Sequence, residues 1–365
     1  MENLIDKVSE KLFVGMDLHK RTSTFCVQDE KGNVVRREKV STDRSQVTSF
    51  VRSLDGQISI VLEPVSQWYV YADLLEELGC NVHLAHPMKV KAIASARVKT
   101  DAIDAKVLAE LLRGNLLPEA YFSSKEVRSW KEIVRFRASL INLRSQVKNK
   151  VHAILHKQGL IHNFTNLFGV SGTTWLKSLT LPEPFAFNLS EYLSVIDELN
   201  KKIDEAEKRV KETVVSSPEA ELLVSVPGIS FVSALTIMAE IGDVKRFPSA
   251  KKLMGYAGLV PSTYSSGDKT THGRITKTGS KWLRYIMIEV AQHQQRCKKN
   301  PGFGSYYLSL QKRKGTNPAT VATARKLLAV IWRLLVDKRP FSTTPPDRHG
   351  KRSNNNSVVV KDACR

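Results

Sequence analysis

The chain has 365 residues, 42% of them hydrophobic and 25% charged, which is enough for two or three cored domains and excludes global disorder. Its 56 Lys and Arg against 36 Asp and Glu give a formal net charge of +20, so an anionic partner is expected. No apolar run approaches the roughly 20 residues that span a bilayer, which favours nucleic acid over a membrane as that partner.

The N-terminus MENLIDKVSEK carries acids and no apolar secretory core, so a cytoplasmic, nucleoid-associated location is expected. Residues 12–29 (LFVGMDLHKRTSTFCVQD) read as one strand, and GNVVRREKVSTD as a second and third, turned at Lys31-Gly32-Asn33. Helical spacing follows at 45–54, then a short apolar strand at 58–64 closed by Pro64, and an amphipathic helix over 68–79. A strand at 81–87 precedes helical KVKAIASARVK and DAIDAKVLAELLRG. The order βββαβαβα implies a mixed sheet with helices on its faces.

From Ser123 the period changes. Ile133, Phe136, Leu140, Leu143, Val147, Val151 and Ile154 recur every three or four residues, and Leu189, Leu193, Ile196, Leu199, Ile203, Ala206 and Val210 repeat the pattern. Two long helices with coiled-coil-like seams are predicted, forming either an intramolecular hairpin or a dimerisation arm. LLVSVPGISFVSALTIMAEIG (222–242) reads as a helix-hairpin-helix element whose Gly228 turn presents amides to a phosphate. A further helix, a polar Gly/Ser/Thr loop and another helix complete this part. The stretch from Ser342 reads as a disordered basic tail. Cys26, Cys80, Cys297 and Cys364 form no CxxC pair, which points to a reducing compartment and no zinc knuckle.

Four acids stand out. Asp17 interrupts an apolar strand, where a charge is costly unless it is paired or bound to metal. Glu63 ends a strand, and Asp101 and Asp104, three apart, share a helix face. Converging at one sheet edge, they would form the oxygen-rich cage that two Mg²⁺ ions need, with Mn²⁺ as the alternative. Each also has a plain reading: an edge-strand residue, a solvated strand end, a wet helix face beside Lys99 and Lys106.

Strand–Asp–x–His, strand–Glu–Pro and Lys-Thr-Asp-x-x-Asp-Ala together resemble the ribonuclease H-like (RuvC-like) DEDD domain of the insertion-sequence transposase family often called one-ten. The stretch from VPGIS to GRITKTGSKWLRYIMIEVA resembles that family's C-terminal domain, so the likeness runs from about residue 12 to 335. The resemblance implies a bridge-RNA-guided recombinase acting on element ends and target DNA. It implies that Asp17, Glu63, Asp101 and Asp104 bind metal and that Ser266 is the nucleophile. Ser265 stands where the family often has Gln, leaving a second hydroxyl as rival, and Ser-Gly-Asp is also ordinary turn chemistry. Lys269, Arg274, Lys277, Lys281 and Arg284 surround this loop as phosphate contacts or as a solvated basic face, and Lys99, Lys106 and Gly228 join the expected nucleic-acid surface.

The expected fold class is α/β plus α: a RuvC-like domain (1–122), a helical coiled-coil arm (123–215), a mainly helical C-terminal domain (216–341) and the tail (342–365). A homodimer, pairing into a dimer of dimers on DNA, is the expected assembly. Two other functions fit the same residues: a structure-selective nuclease using water, and a non-catalytic nucleic-acid scaffold.

Overall fold

A computed structural model describes residues 10–94, 100–266, 269–296, 303–342 and 358–359. The chain divides into two compact units, 1–122 and 123–365.

The first unit is built on a five-stranded sheet. Its strands are β1 (Lys11–Leu18), β2 (Thr22–Gln28), β3 (Val34–Ser41), β4 (Gln57–Leu62) and β5 (Asn81–Leu84), in the order β3-β2-β1-β4-β5. The first three form an antiparallel meander, while β4 and β5 run parallel to β1. Helices α1 (Arg44–Arg52), α2 (Trp68–Glu77), α3 (Pro87–Ile93) and α4 (Asp101–Arg113) supply the crossovers and flanks. The mixed α/β sheet expected from the element order is therefore present. Two boundaries differ from the sequence reading. Residues 12–29 are two strands rather than one, reversing at a charged His19-Lys20-Arg21 turn where His19 N–H donates to the Thr22 carbonyl at 3.1 Å. Residues 34–41 form a single strand, entered through Gly32 at φ +89° while Asp29 accepts from both the backbone and side-chain amides of Asn33.

Alternation along the strands assigns the two faces. Leu12, Val14, Met16 and Leu18 pack with Ile58, Ile60 and Leu62 beneath α1 and α2, in one core where Phe25 stacks on Phe50 at 4.2 Å. Each such fully buried aliphatic side chain contributes about 1.5–3 kcal/mol. On the opposite face Phe13 and Val61 pack with Leu108, Leu111 and Leu112 of α4. Gly15 lies on that face too, and a β-carbon there would sit 1.9 Å from the Ala105 carbonyl oxygen and 2.8 Å from the Ala109 nitrogen. Helix α4 thus rests directly on the backbone of β1.

The second unit begins with α5 (Lys125–Lys157), followed by α6 (Val170–Ser178) and α7 (Phe185–Val215). Helix α5, about 50 Å long at 1.5 Å per residue, packs antiparallel to α7 within the chain. Val127, Trp130 and Val134 meet Val210 and Val214, Leu140 meets Ile203 and Ala206, and Val151 and Ile154 meet Leu189, Leu193 and Ile196. The seam departs from the apolar repeat at Phe136 and Leu143, which are exposed. Arg137 and Arg144 lie against α7 instead, donating to Glu207 at 2.9 Å and Asn200 at 2.7 Å.

Beyond it come α8 (Pro218–Val224), α9 (Phe231–Ile241), α10 (Ala250–Tyr256), strands β6 (Pro261–Ser266) and β7 (Lys269–Ile275), and helices α11 (Lys281–His293), α12 (Gly304–Lys314) and α13 (Thr316–Asp337). The two apolar helices expected around a Pro-Gly turn are α8 and α9, with Gly228 at φ +83° in the turn and Ser230 capping α9. Every α9 residue from Ser233 to Ile241 is buried, including Glu240. A buried carboxylate requires partners, and Glu240 accepts from Arg135 of α5 at 3.2 Å and from Ser280, the α11 cap, at 2.8 Å. The segment read as a polar loop is a correction: it is the antiparallel β6–β7 hairpin. Of the expected tail, Val358–Val359 pair in parallel with Phe341–Ser342, and 343–357 and 360–365 lie outside the described residues. Among the described residues no helix is long and apolar enough to cross a membrane.

The close approach at Gly15 yields a prediction. The atom that a new side chain would meet is helix backbone, which cannot rotate away, so Gly15→Ala is expected to destabilise the protein by about 3 kcal/mol, the upper range for overpacking. Urea unfolding of the full chain measures it; an unchanged midpoint would refute the close-approach account.

Candidate active site

Asp17 and Asp101 come together near the end of β1. Asp17 lies two residues beyond Gly15, on the same sheet face and beneath the N-terminal turn of α4. Asp101, Ala105 and Ala109 recur every four residues along one stripe of that helix. The packing at Ala105 and Ala109 therefore brings Asp101, one turn earlier, over Asp17. Thr100 starts the helix, its hydroxyl accepting from Ile103 N–H at 3.3 Å, and both helix acids occupy the first turn, where the dipole favours negative charge.

His19 joins the acids. Its Nε2 lies 3.0 Å from Asp17 Oδ2 and 3.6 Å from Asp101 Oδ1, and one ligand atom from each of the three residues falls within 4.8 Å of the others. Lys39 of β3 donates to Asp101 Oδ2 at 3.0 Å. Burial pushes the Asp17 carboxyl up, opposed by His19 and reinforced by the carboxylates of Asp101 and Asp104. The Lys39 hydrogen bond instead holds the Asp101 carboxyl below its usual range. A groove of about 530 Å³ lined by Arg37, Lys39, Thr100 and Asp101 opens beside the cluster.

The carboxylates of Asp101 and Asp104 are thus near enough to act on Asp17. Glu63 follows β4 directly, one step past the Met16–Leu62 pair with which the parallel ladder ends. Leu108 packs against Val61, two residues before Glu63, and Asp104 is one turn before Leu108. Two of the residues gathered here, His19 and Lys39, were not singled out from sequence. The Asp-x-His spacing at a strand end was a signal for the first; the second comes from a different strand, 62 positions from its partner, and has no local signature.

The other expected residues belong to separate surroundings. Lys106 pairs with Glu110 of its own helix at 3.3 Å, and Lys99 lies outside the described residues. Ser266 is the last residue of β6, opposite Lys269 in the hairpin register, in the second unit. Ser265 Oγ lies 3.0 Å from Thr270 Oγ1 across the hairpin. Arg274, Lys277 and Lys281 are exposed, with Lys277 at φ +54° and its N–H donating to the Gly258 carbonyl. Arg284 Nη1 donates to the Ala257 carbonyl at 3.0 Å, which gives that guanidinium a role within the fold.

The Asp17 surroundings generate a second prediction. A carboxyl raised in the folded state binds more protons folded than unfolded, so its contribution to stability falls as pH rises through the carboxylate range. Metal-free Asp17→Asn is therefore expected to melt higher than the unaltered protein at pH 7, the gain shrinking as pH drops through that range. Divalent metal should raise the melting temperature of the unaltered protein and not that of the variant. Equal responses of the two to metal would refute the cluster's role as a cation site.

Comparison with known proteins follows this division. A DEDD transposase model of the IS110 kind, described as "Transposase", matches residues 14–158, a span that contains all four acids. A second, described as "Transposase IS116/IS110/IS902 family", matches residues 220–308, which include α9 and the β6–β7 hairpin. The chain is 28% identical over 331 residues to a probable family 20 transposase of Pseudomonas aeruginosa, covering 88% of this chain and 96% of that one. It is 27% identical over 344 residues to the transposase for insertion sequence element IS1328 of Yersinia enterocolitica, covering 90% and 98%. A pilin gene-inverting protein of Moraxella lacunata is 25% identical over 353 residues, covering 91% and 98%. The DEDD domain implies a divalent metal, and the carboxylates gathered beneath α4 are the place among the described residues where the chain offers one. With two domain matches in this order and relatives alike over nearly their whole lengths, the chain is similar throughout to transposases of the IS116/IS110/IS902 kind, and it is a transposase, an enzyme of DNA transposition.

Proposed function

We propose that this transposase cuts and exchanges DNA strands at the ends of a mobile element and at its target, using a RuvC-like acid cluster and the hydroxyl of Ser266. Asp17, Glu63, Asp101 and Asp104 hold the metal, Mg²⁺ in the first instance. The observation that carries this reading is the convergence of Asp17, Asp101 and His19, each with a ligand atom within 4.8 Å of the others. Like charges held this close, with Asp17 partly withdrawn from water, are an arrangement that a divalent cation relieves. Oxygen ligands suit Mg²⁺, and the neighbouring imidazole also admits Mn²⁺. When bound, such metal activates an attacking oxygen and stabilises the leaving one.

Ser266 supplies the nucleophile in this scheme. Its Oγ forms a bond to a DNA phosphorus as the bond to one sugar oxygen breaks, giving a serine phosphodiester and a free sugar hydroxyl. One phosphodiester replaces another, so the bond energy is conserved for rejoining to a new strand. The chain's own contribution is to fix the acids through α4 and to present the serine at the end of β6. Ser265 is the rival hydroxyl, and it contacts Thr270 within the hairpin. Exchange rather than simple hydrolysis is supported by the relative named as a gene-inverting protein. The net charge of +20 supports a broad phosphate footprint able to take a structured guide RNA as well as DNA. Dimers that pair on DNA complete the reading, since exchange involves two duplexes.

The test is incubation with element-end DNA and the associated RNA in Mg²⁺, followed by denaturing gels. Asp104→Asn is expected to lose strand cleavage while keeping RNA binding, and Ser266→Ala to remain folded and RNA-bound yet form no covalent adduct. Ser265→Ala should retain activity. Cleavage in excess EDTA would overturn the metal assignment. An adduct mapped to Ser265, or cleavage by Ser266→Ala without any adduct, would overturn the nucleophile and favour water.

A further inference from the structure

A groove of about 720 Å³ runs across the second unit. Helix α9 packs against both α7 and α11, and the groove is lined by residues of all three. Two aromatic rings face it: Tyr285 of α11, 57% exposed, and Phe231 at the start of α9. Lys208 and Lys211 of α7 line it as well, with Lys211 Nζ 5.6 Å from the centre of the Phe231 ring. The charges divide unevenly: Arg137 and Glu207 are spent on each other at 2.9 Å, and two lysines then stand against the single carboxylate of Glu289.

We propose that this groove binds an unpaired nucleotide of a single-stranded segment, with its base on Tyr285 and Phe231 and its phosphates at Lys208 and Lys211. The proposal rests on the reading of the chain as a nucleic-acid enzyme and adds to it a site for unstacked bases. An exposed tyrosine that shares a groove with a second ring and two lysines is the combination that single strands require, because every base has a face that stacks and every linkage a charge. Bases inside a duplex are already stacked and cannot reach a ring in a groove. The volume falls in the range of small-ligand pockets, which accommodates a nucleotide and not a double helix. Glu289, on the Tyr285 side, disfavours phosphate there and leaves it the lysine side. Strand exchange leaves bases unpaired in DNA, and a folded RNA has them in its loops, so either can supply the ligand.

The experiment measures binding of a twelve-residue oligodeoxythymidylate and the matching oligouridylate to the full chain in EDTA, across 50–200 mM salt. Tyr285→Ala is expected to weaken binding about 5- to 150-fold at every salt concentration, as removal of a stacking ring does, with the salt slope unchanged. Tyr285→Phe should bind like the unaltered protein. Lys208→Ala with Lys211→Ala should instead flatten the salt slope, by about 0.7 for each phosphate no longer neutralised. Photocrosslinking with 5-iodouracil at one position, followed by peptide mapping, should mark Tyr285 or Phe231. The oligomer that shows the larger Tyr285→Ala effect identifies DNA or RNA as the source. Unchanged affinity in Tyr285→Ala for both oligomers, or crosslinks confined to peptides outside the groove, would overturn the proposal; if that variant failed to fold, the crosslink map on the unaltered protein would decide. Because no metal or cleavage is involved, failure here is distinct from failure of the acid cluster or of Ser266.

Discussion

Helix α4 lies so close on strand β1 that a methyl group at position 15 would sit 1.9 Å from a helix carbonyl. Only glycine permits that approach, and the alanines at 105 and 109 keep the facing helix equally lean. The consequence is geometric. With the helix axis pressed onto the strand, its first turn projects over the strand's end, and acids from distant parts of the chain share one small volume. Lengthening any of these three side chains would lift the helix and open the cluster before touching a carboxylate.

That crowding carries an electrostatic cost that neighbouring residues manage. Lys39 from the edge of the sheet and His19 from the β1–β2 turn contact Asp101 and Asp17. Exposed ion pairs of this kind contribute little to stability, so their significance lies in keeping the carboxylates oriented. The second unit solves a related problem differently. Glu240 is withdrawn from water altogether, and the pairing with Arg135 and Ser280 joins α5, α9 and the start of α11 around a single oxygen pair. Pairing a buried carboxylate in this way specifies geometry more than it adds stability.

Much of the first unit was legible in the sequence because its signals are local. Apolar alternation and the Lys31-Gly32-Asn33 turn mark elements without reference to anything distant, and an acid inside an apolar strand draws notice to Asp17. The His19-Lys20-Arg21 reversal was not legible, since three charged residues carry no turn chemistry. The hairpin seam was misread at Phe136 and Leu143 for a physical reason. Counting apolar residues passes over Arg137 and Arg144, which lie against α7 because Glu207 and Asn200 satisfy them there. Polar Ser, Thr and Gly likewise disguised the β6–β7 hairpin as a loop. The Lys39–Asp101 pair and the close approach at Gly15 are tertiary facts, invisible to any local window.

The β6–β7 hairpin has one further implication. It is a sheet of two strands, with Thr263, Tyr264 and Ser265 exposed to water and no third strand among the described residues. Isolated two-stranded ribbons are marginal on their own, and elements with few buried neighbours open at low free energy. If Ser266 attacks DNA, the chain carries its most hazardous hydroxyl on one of its least self-sufficient elements. Ordering that ribbon would then draw on the binding energy of a correctly assembled nucleic-acid complex. A loosely bound or mismatched strand would not provide it, so reactivity would be withheld by entropy rather than by a steric gate.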